Sequence, residues 1–172
     1  ILIIKGNSGT GKTSILDTLA GIQNPKSGGF FLEVHNSNNT QLIKNPKGNN
    51  LITYMTQNID LDIYPGEPLP KDKWLYYSNL LNINDFFEKL KMNSFNDEIE
   101  ISGGQKQRLI LARLLCMDRS LILLDEPSSA LDLSSIKLVK KLIKQESKGK
   151  IFIIVSHSEE LSKIGNKFIN LD

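Results

Sequence analysis

The sequence predicts an α/β fold: a mainly parallel sheet with helices on both faces and a small helical subdomain. Three observations carry that expectation. Short continuous apolar runs, "ILIIK" at 1–5, "LILLD" at 121–125 and "IFIIV" at 151–155, have the pattern of strands covered on both sides. Helical stretches alternate with them, which implies crossover connections and a parallel sheet. A glycine-rich turn, "GNSGTGKTS" at 6–14, stands between the first strand and the first helix.

The elements follow in order. "KTSILDTLAG" at 12–21 reads as a helix stopped by Gly21. "GGFFLEV" at 28–34, after Pro25, reads as a strand. Residues 35–50 are Asn-rich and expected to be a loop, with His35 merely at its surface. "LITYM" at 51–55 reads as a strand leading to Gln57. From 58 to about 101 the texture changes. Pro65, Pro68 and Pro70 precede a helix-like stretch near 72–81, and "INDFFEKLKM" at 83–92 suggests another helix, capped by Asn84 or Asp85. This is the expected helical insertion. The core resumes with the helix "QKQRLILARLLCM" at 105–117 and the strand at 121–125. An amphipathic helix at 134–147, the strand at 151–155 and a last strand, "KFINL" at 167–171, complete it. The Lys cluster at 137–150 reads as a solvated face.

Composition bounds the possibilities. A length of 172 residues suits one domain, and 40% hydrophobic with 23% charged residues is ordinary globular usage. A net charge of +2 is too small to argue for nucleic acid or an anionic membrane surface. No apolar run approaches the roughly eighteen residues of a membrane helix, and no signal-peptide pattern opens the chain. The single cysteine, Cys116, excludes an internal disulfide and lies in an apolar helical run, as a packed core thiol would. The chain opens on "ILII" without a methionine, as though cut at the edge of a buried strand.

Gly6, Gly11, Lys12 and Thr13 match G-x-x-x-x-G-K-[ST] in the strand–turn–helix setting that the motif requires. Glycines let backbone N–H groups converge on phosphate oxygens, and the helix N-terminus adds favourable partial charge. The expected cradle is Gly6, Asn7, Ser8, Gly9, Thr10, Gly11, Lys12, Thr13 and Ser14. Lys12 would bridge the β- and γ-phosphates, and Thr13 would ligate Mg²⁺. "LILLDEP" at 121–127 puts Asp125 at a strand's carboxyl end, where such sheets bind ligands, to hold Mg²⁺ through water. Glu126 is the candidate general base for an attacking water. Gln57, just beyond a strand, would reach the metal and that water. His157, directly after "IFIIVS", would hydrogen-bond the γ-phosphate. A second Ser-Gly-Gly turn, "ISGGQKQR" at 101–108, opens its own helix, a second anion cradle in a chain that needs only one per ATP.

"GNSGTGKTS", Gln57, "ISGGQKQR", "LILLDEPSSALD" and His157, in this order, resemble the nucleotide-binding domain of ABC ATPases over essentially the whole chain. Ile101 stands where that family's signature most often has Leu. The resemblance implies a P-loop NTPase fold, ATP and Mg²⁺ as ligand and cofactor, and ATP hydrolysis. It implies head-to-tail pairing with a second such domain, identical or different, around two ATP. Ser102, Gly103, Gly104 and Gln105 would then serve the partner's γ-phosphate, with Asp132 near the partner's phosphate loop. A transmembrane permease at the cytoplasmic face of a membrane is the implied partner, coupled through Gln57 and the insertion, and no nucleic acid is expected. The alternative is a soluble relative acting on DNA or ribosomes. The family's N-terminal strands and adenine-stacking aromatic precede the phosphate loop and lie outside this sequence. The expected organisation is therefore one N-terminally truncated domain, with a core at 1–57 and 105–172 and a helical subdomain at about 58–104.

Overall fold

The computed structural model describes residues 1–36, 39–44, 51–57, 69–84 and 101–172. Its centre is a five-stranded sheet ordered β4-β5-β6-β1-β7. The strands are β1 (Leu2–Lys5), β4 (Ile52–Met55), β5 (Leu121–Asp125), β6 (Ile151–Val155) and β7 (Lys167–Asn170). All four neighbouring pairs run parallel. A separate antiparallel pair, β2 (Phe31–Asn36) and β3 (Asn39–Lys44), runs from Phe31↔Lys44 to Asn36↔Asn39. It corrects the expectation of a loop at 35–50 as far as residue 44, and it places His35 in a strand.

The helices are α1 (Lys12–Leu19), α2 (Lys71–Leu80), α3 (Gly103–Cys116), α4 (Leu133–Glu146) and the short α5 (Glu159–Ser162). Alternation along the strands divides the core in two. Ile3, Ile122, Leu124, Phe152 and Ile154 face one layer, built with α2, α3, α4 and α5. Ile4, Leu121, Leu123 and Val155 face the other, with Leu16 of α1 and Leu32 of β2. β5, buried at every position, is covered on both faces and has no polar side to show, which is why 121–124 reads as an unbroken apolar run.

The helix expected at 72–81 is α2, whereas the one expected at 83–92 falls largely outside the described residues. Cys116 is 2% exposed in the larger core, and burial pushes its thiol up to about 11. On α4, Lys137, Lys141 and Lys144 face solvent. Lys140 instead pairs with Glu160 at 3.1 Å, and Lys150 with Glu146 at 2.8 Å and Asp118 at 3.1 Å.

Candidate active site

Parallel strands bring all their carboxyl ends to one edge of the sheet, and here each end carries a polar group. β4 leads to Gln57, β5 to Asp125 and Glu126, β6 to His157, β1 to the glycine-rich loop and β7 to Asp172. A cleft of about 680 Å³ opens there. Of the expected site residues, Ser8, Gly9, Gly11, Lys12, Thr13, Ser14, Gln57, Asp125, Glu126 and His157 line it.

Gly11 precedes α1 with φ 92°, a left-handed conformation that a side chain would resist, so the loop can turn straight into the helix. Lys12, 9% exposed, folds back over the loop. Its Nζ donates to the carbonyl oxygens of Gly6 at 2.7 Å and Asn7 at 2.6 Å. Gly6, Asn7 and Thr10 brace the loop rather than line the cleft. Thr10 Oγ1 donates to the Asn7 carbonyl at 2.9 Å, and the Asn7 N–H donates to Asp172 Oδ1 at 2.6 Å.

Across the cleft, Thr13 Oγ1 donates to Asp125 Oδ2 at 2.7 Å. Burial raises the Asp125 carboxyl above its ordinary value, and the Thr13 hydrogen bond opposes that rise. Glu126 is raised as well, first by burial and further by the neighbouring Asp125 charge, against the His157 N–H. Its backbone is left-handed, with φ 49°, and its N–H donates to the Val155 carbonyl at 2.9 Å. The His157 N–H donates to Glu126 Oε2 at 3.4 Å. Oε1 is buried and accepts no hydrogen bond among the described residues, while His157 Nε2 stands 3.5 Å away. That separation permits electrostatic attraction, but the contact does not meet hydrogen-bond geometry.

Residues 102–105 do not line this cleft. They form the N-terminus of α3 as a capping box: Gln105 N–H donates to Ser102 Oγ at 3.3 Å, and Ser102 N–H donates to Gln105 Oε1 at 2.9 Å. Asp132 likewise caps α4. Its Oδ1 accepts from the Ser135 N–H at 2.7 Å and the Ser134 hydroxyl at 3.0 Å, and the Ser135 N–H is the main cause of its lowered pKa. Both segments are thus locally self-sufficient turns, and neither lines this chain's own cleft.

Sequence reasoning missed several residues. Ser128, Ser129 and Ser158 line the cleft, Asp172 braces the loop, and Gln107 sits buried beneath the Glu126 segment. Gln107 alone left a signal, a polar residue in the apolar stripe of a helix.

The family model described as ABC transporter matches residues 1–129. The chain belongs to the ABC transporter family. Cassettes of this family bind ATP and hydrolyse it to power transport, which favours the transport reading over the soluble alternative. The chain is 34% identical over 180 residues to the thiamine import ATP-binding protein ThiQ of Photobacterium profundum, covering 97% of this chain and 72% of that protein. Its fold matches a dimeric, post-hydrolysis structure of the ATP-binding cassette MJ0796 bound to ADP and Pi. The TM-score is 0.72 at 23% identity, over 100% of this chain and 81% of that one. A bacterial Atm1-family ABC exporter with ATP bound matches with a TM-score of 0.74 at 19% identity, over 99% of this chain and 32% of the exporter. No helix among the described residues is long and apolar enough to cross a membrane.

Proposed function

We propose that this chain hydrolyses ATP at the β1–β5–β6 edge with Glu126 as general base. The observation that carries the reading is the carboxylate pair ending β5. Asp125 is tied to the phosphate-loop hydroxyl of Thr13 at 2.7 Å, and beside it Glu126 keeps a buried oxygen that accepts no hydrogen bond among the described residues. Lys12 would exchange its two loop carbonyls for β- and γ-phosphate oxygens. Thr13, Asp125 and Gln57 would hold Mg²⁺. These oxygen donors suit a hard cation that takes few protein ligands beside phosphate and water. No cluster of three His, Cys, Asp or Glu side chains among the described residues offers an all-protein cage instead. Bound there, the ion would offset negative charge on the phosphates. Glu126 would accept the proton of the attacking water, and its raised pKa brings its basicity closer to the working pH. His157 would orient the carboxylate from one side and meet the γ-phosphate from the other.

The second cradle, Ser102–Gly104 with Gln105 fixing its turn, stands outside the cleft and so suits a phosphate held by another copy or a related cassette. The MJ0796 cassette bound to ADP and Pi has a dimeric structure, which supports that arrangement. Residues 1–57 and 105–172 would act as the core and about 58–104 as the subdomain that, with Gln57, meets a transmembrane permease at the cytoplasmic face. The ThiQ relative is an import ATP-binding protein, which supports import as the direction.

Replacing Glu126 by Gln tests the reading. The amide cannot take the proton, so turnover should fall by roughly 10²-fold or more while ATP still binds. An ATP-bound dimer should accumulate on size-exclusion chromatography. Near-wild-type hydrolysis in that variant would remove Glu126 from the mechanism.

A further inference from the structure

Gln107 lies in the apolar stripe of α3 and is 2% exposed. A buried amide in such a position is costly unless its polar atoms are used. Here they are. Nε2 donates to the Glu126 carbonyl at 3.2 Å and to Ser129 Oγ at 2.7 Å, and Oε1 accepts the Ala130 N–H at 3.1 Å. One side chain therefore grips both ends of the segment that starts at the candidate base. The grip is aimed where the backbone most needs it, because Glu126 holds φ 49°, a conformation uncommon for any residue but glycine. One helical turn earlier, Gly104 approaches the same segment so closely that a Cβ would meet the Ala130 carbonyl oxygen at 2.8 Å. Helix α3 and residues 126–130 are thus joined at two levels, once by close backbone contact and once by a hydrogen-bonded amide.

We infer that Gln107 is a positioning residue for hydrolysis, holding the Glu126 peptide to the helix whose first turn is the Ser102–Gly104 cradle. The inference rests on the proposed role of Glu126. Within one chain, the base for its own nucleotide and the cradle offered to the partner's are then set by a single rigid unit. Gln107 touches no substrate. Its effect runs through the placement of the carboxylate, so it acts on the chemical step and leaves ground-state binding alone.

The test uses steady-state ATPase kinetics of the full chain with Gln107→Met, which keeps length and bulk but none of the three bonds. Ser129→Ala removes one bond at an exposed position, and Glu126→Gln runs in parallel. Gln107→Met should lower kcat about tenfold with KM for ATP within twofold, consistent with the steep dependence of rate on the placement of reacting groups. Ser129→Ala should lower kcat two- to threefold with the same split. The double variant should be no slower than Gln107→Met, since both changes break one network. An unchanged kcat, a matching rise in KM, or multiplicative losses in the double variant would overturn the inference. If Gln107→Met does not fold, Ser129→Ala decides: reduced kcat at fixed KM supports the inference and wild-type kcat overturns it. An inactive Glu126→Gln beside a wild-type-like Gln107→Met would refute the positioning role alone. An active Glu126→Gln would instead refute the base assignment beneath it.

Discussion

Gly104→Ala should cost more stability and more turnover than Gly103→Ala, although both residues belong to the second cradle. Both residues lie in the first turn of α3, so each alanine gains the same helix propensity, up to about 1 kcal/mol. Their surroundings differ. A Cβ at 104 would sit 2.8 Å from the backbone oxygen of Ala130 and 3.5 Å from Leu131 Cδ2. A carbonyl oxygen cannot rotate aside, so the 126–130 segment must retreat by roughly half an ångström, with an overpacking cost of about 1–3 kcal/mol. A Cβ at 103 would meet only the Ala130 methyl at 3.1 Å, which a shift of a few tenths of an ångström relieves. The propensity gain cancels in the comparison, leaving Gly104→Ala about 1–3 kcal/mol less stable than Gly103→Ala. For a domain of this size each kcal/mol moves Tm by about 2–4 °C, so thermal melting should separate the two by at least about 2 °C. The displaced segment carries Glu126. A 1 Å error in catalytic geometry costs about 10²-fold, so half of that should slow turnover by on the order of tenfold at 104. Melting curves and kcat for both variants make the check. Equal Tm values and equal rates would mean that the segment does not depend on its contact with α3.

Two further outcomes are expected. Because burial raises the Glu126 pKa in the folded chain above its unfolded value, its stabilising contribution is complete below the unfolded pKa and is lost as pH rises through the folded one. Glu126→Gln should therefore melt above wild type at pH 7, with an advantage that shrinks toward acid, and an advantage that grew toward acid would contradict the burial argument. Lys12→Ala and Ser102→Arg should each be inactive alone, yet an equimolar mixture of dimers should regain up to about a quarter of wild-type ATPase activity if sites act independently. A demonstrated mixed dimer with neither turnover nor occluded ATP would place both cradles within one chain's site.

The centre of the sheet was legible because β5 is buried on both faces and β6 over most of its length. The runs 121–125 and 151–155 match β5 and β6 residue for residue. The site was legible for a related reason: in a parallel sheet, any polar residue just past an apolar run arrives at the same edge. The hairpin was legible only in its first strand, expected at 28–34. In the Asn-rich stretch after it Leu42 is 60% exposed, so apolar burial gave no signal for β3, and the backbone ladder carries the pairing. The partnership of Asp172 with the Asn7 N–H was invisible because it joins residues 165 positions apart that meet only once β7 pairs with β1. Gln107 was legible in principle. It shares a helical face with Leu111 and Leu114, and a polar residue there asks which groups it satisfies.

What the sequence could not give is why Glu126, a mobile type of side chain, should be held well enough to act as a base. The strand register supplies the first part. β5 stays paired with β6 to its final residue, Asp125↔Val155, and the Glu126 N–H adds one more bond to the Val155 carbonyl. The chain then leaves the sheet abruptly: Glu126 takes φ 49°, although Pro127 after it would by itself favour extended backbone there. Such a conformation costs on the order of 1 kcal/mol or more and persists only where surroundings over-determine it. Here they do: Val155 fixes its N–H, Gln107 fixes its carbonyl, and the His157 N–H holds one carboxylate oxygen. The remaining oxygen is buried and accepts no hydrogen bond among the described residues, in a residue that lines the cleft together with the phosphate loop. A base on a loose loop would have to be ordered in every turnover, whereas this one is ordered by folding, with the strain of one backbone angle as the cost.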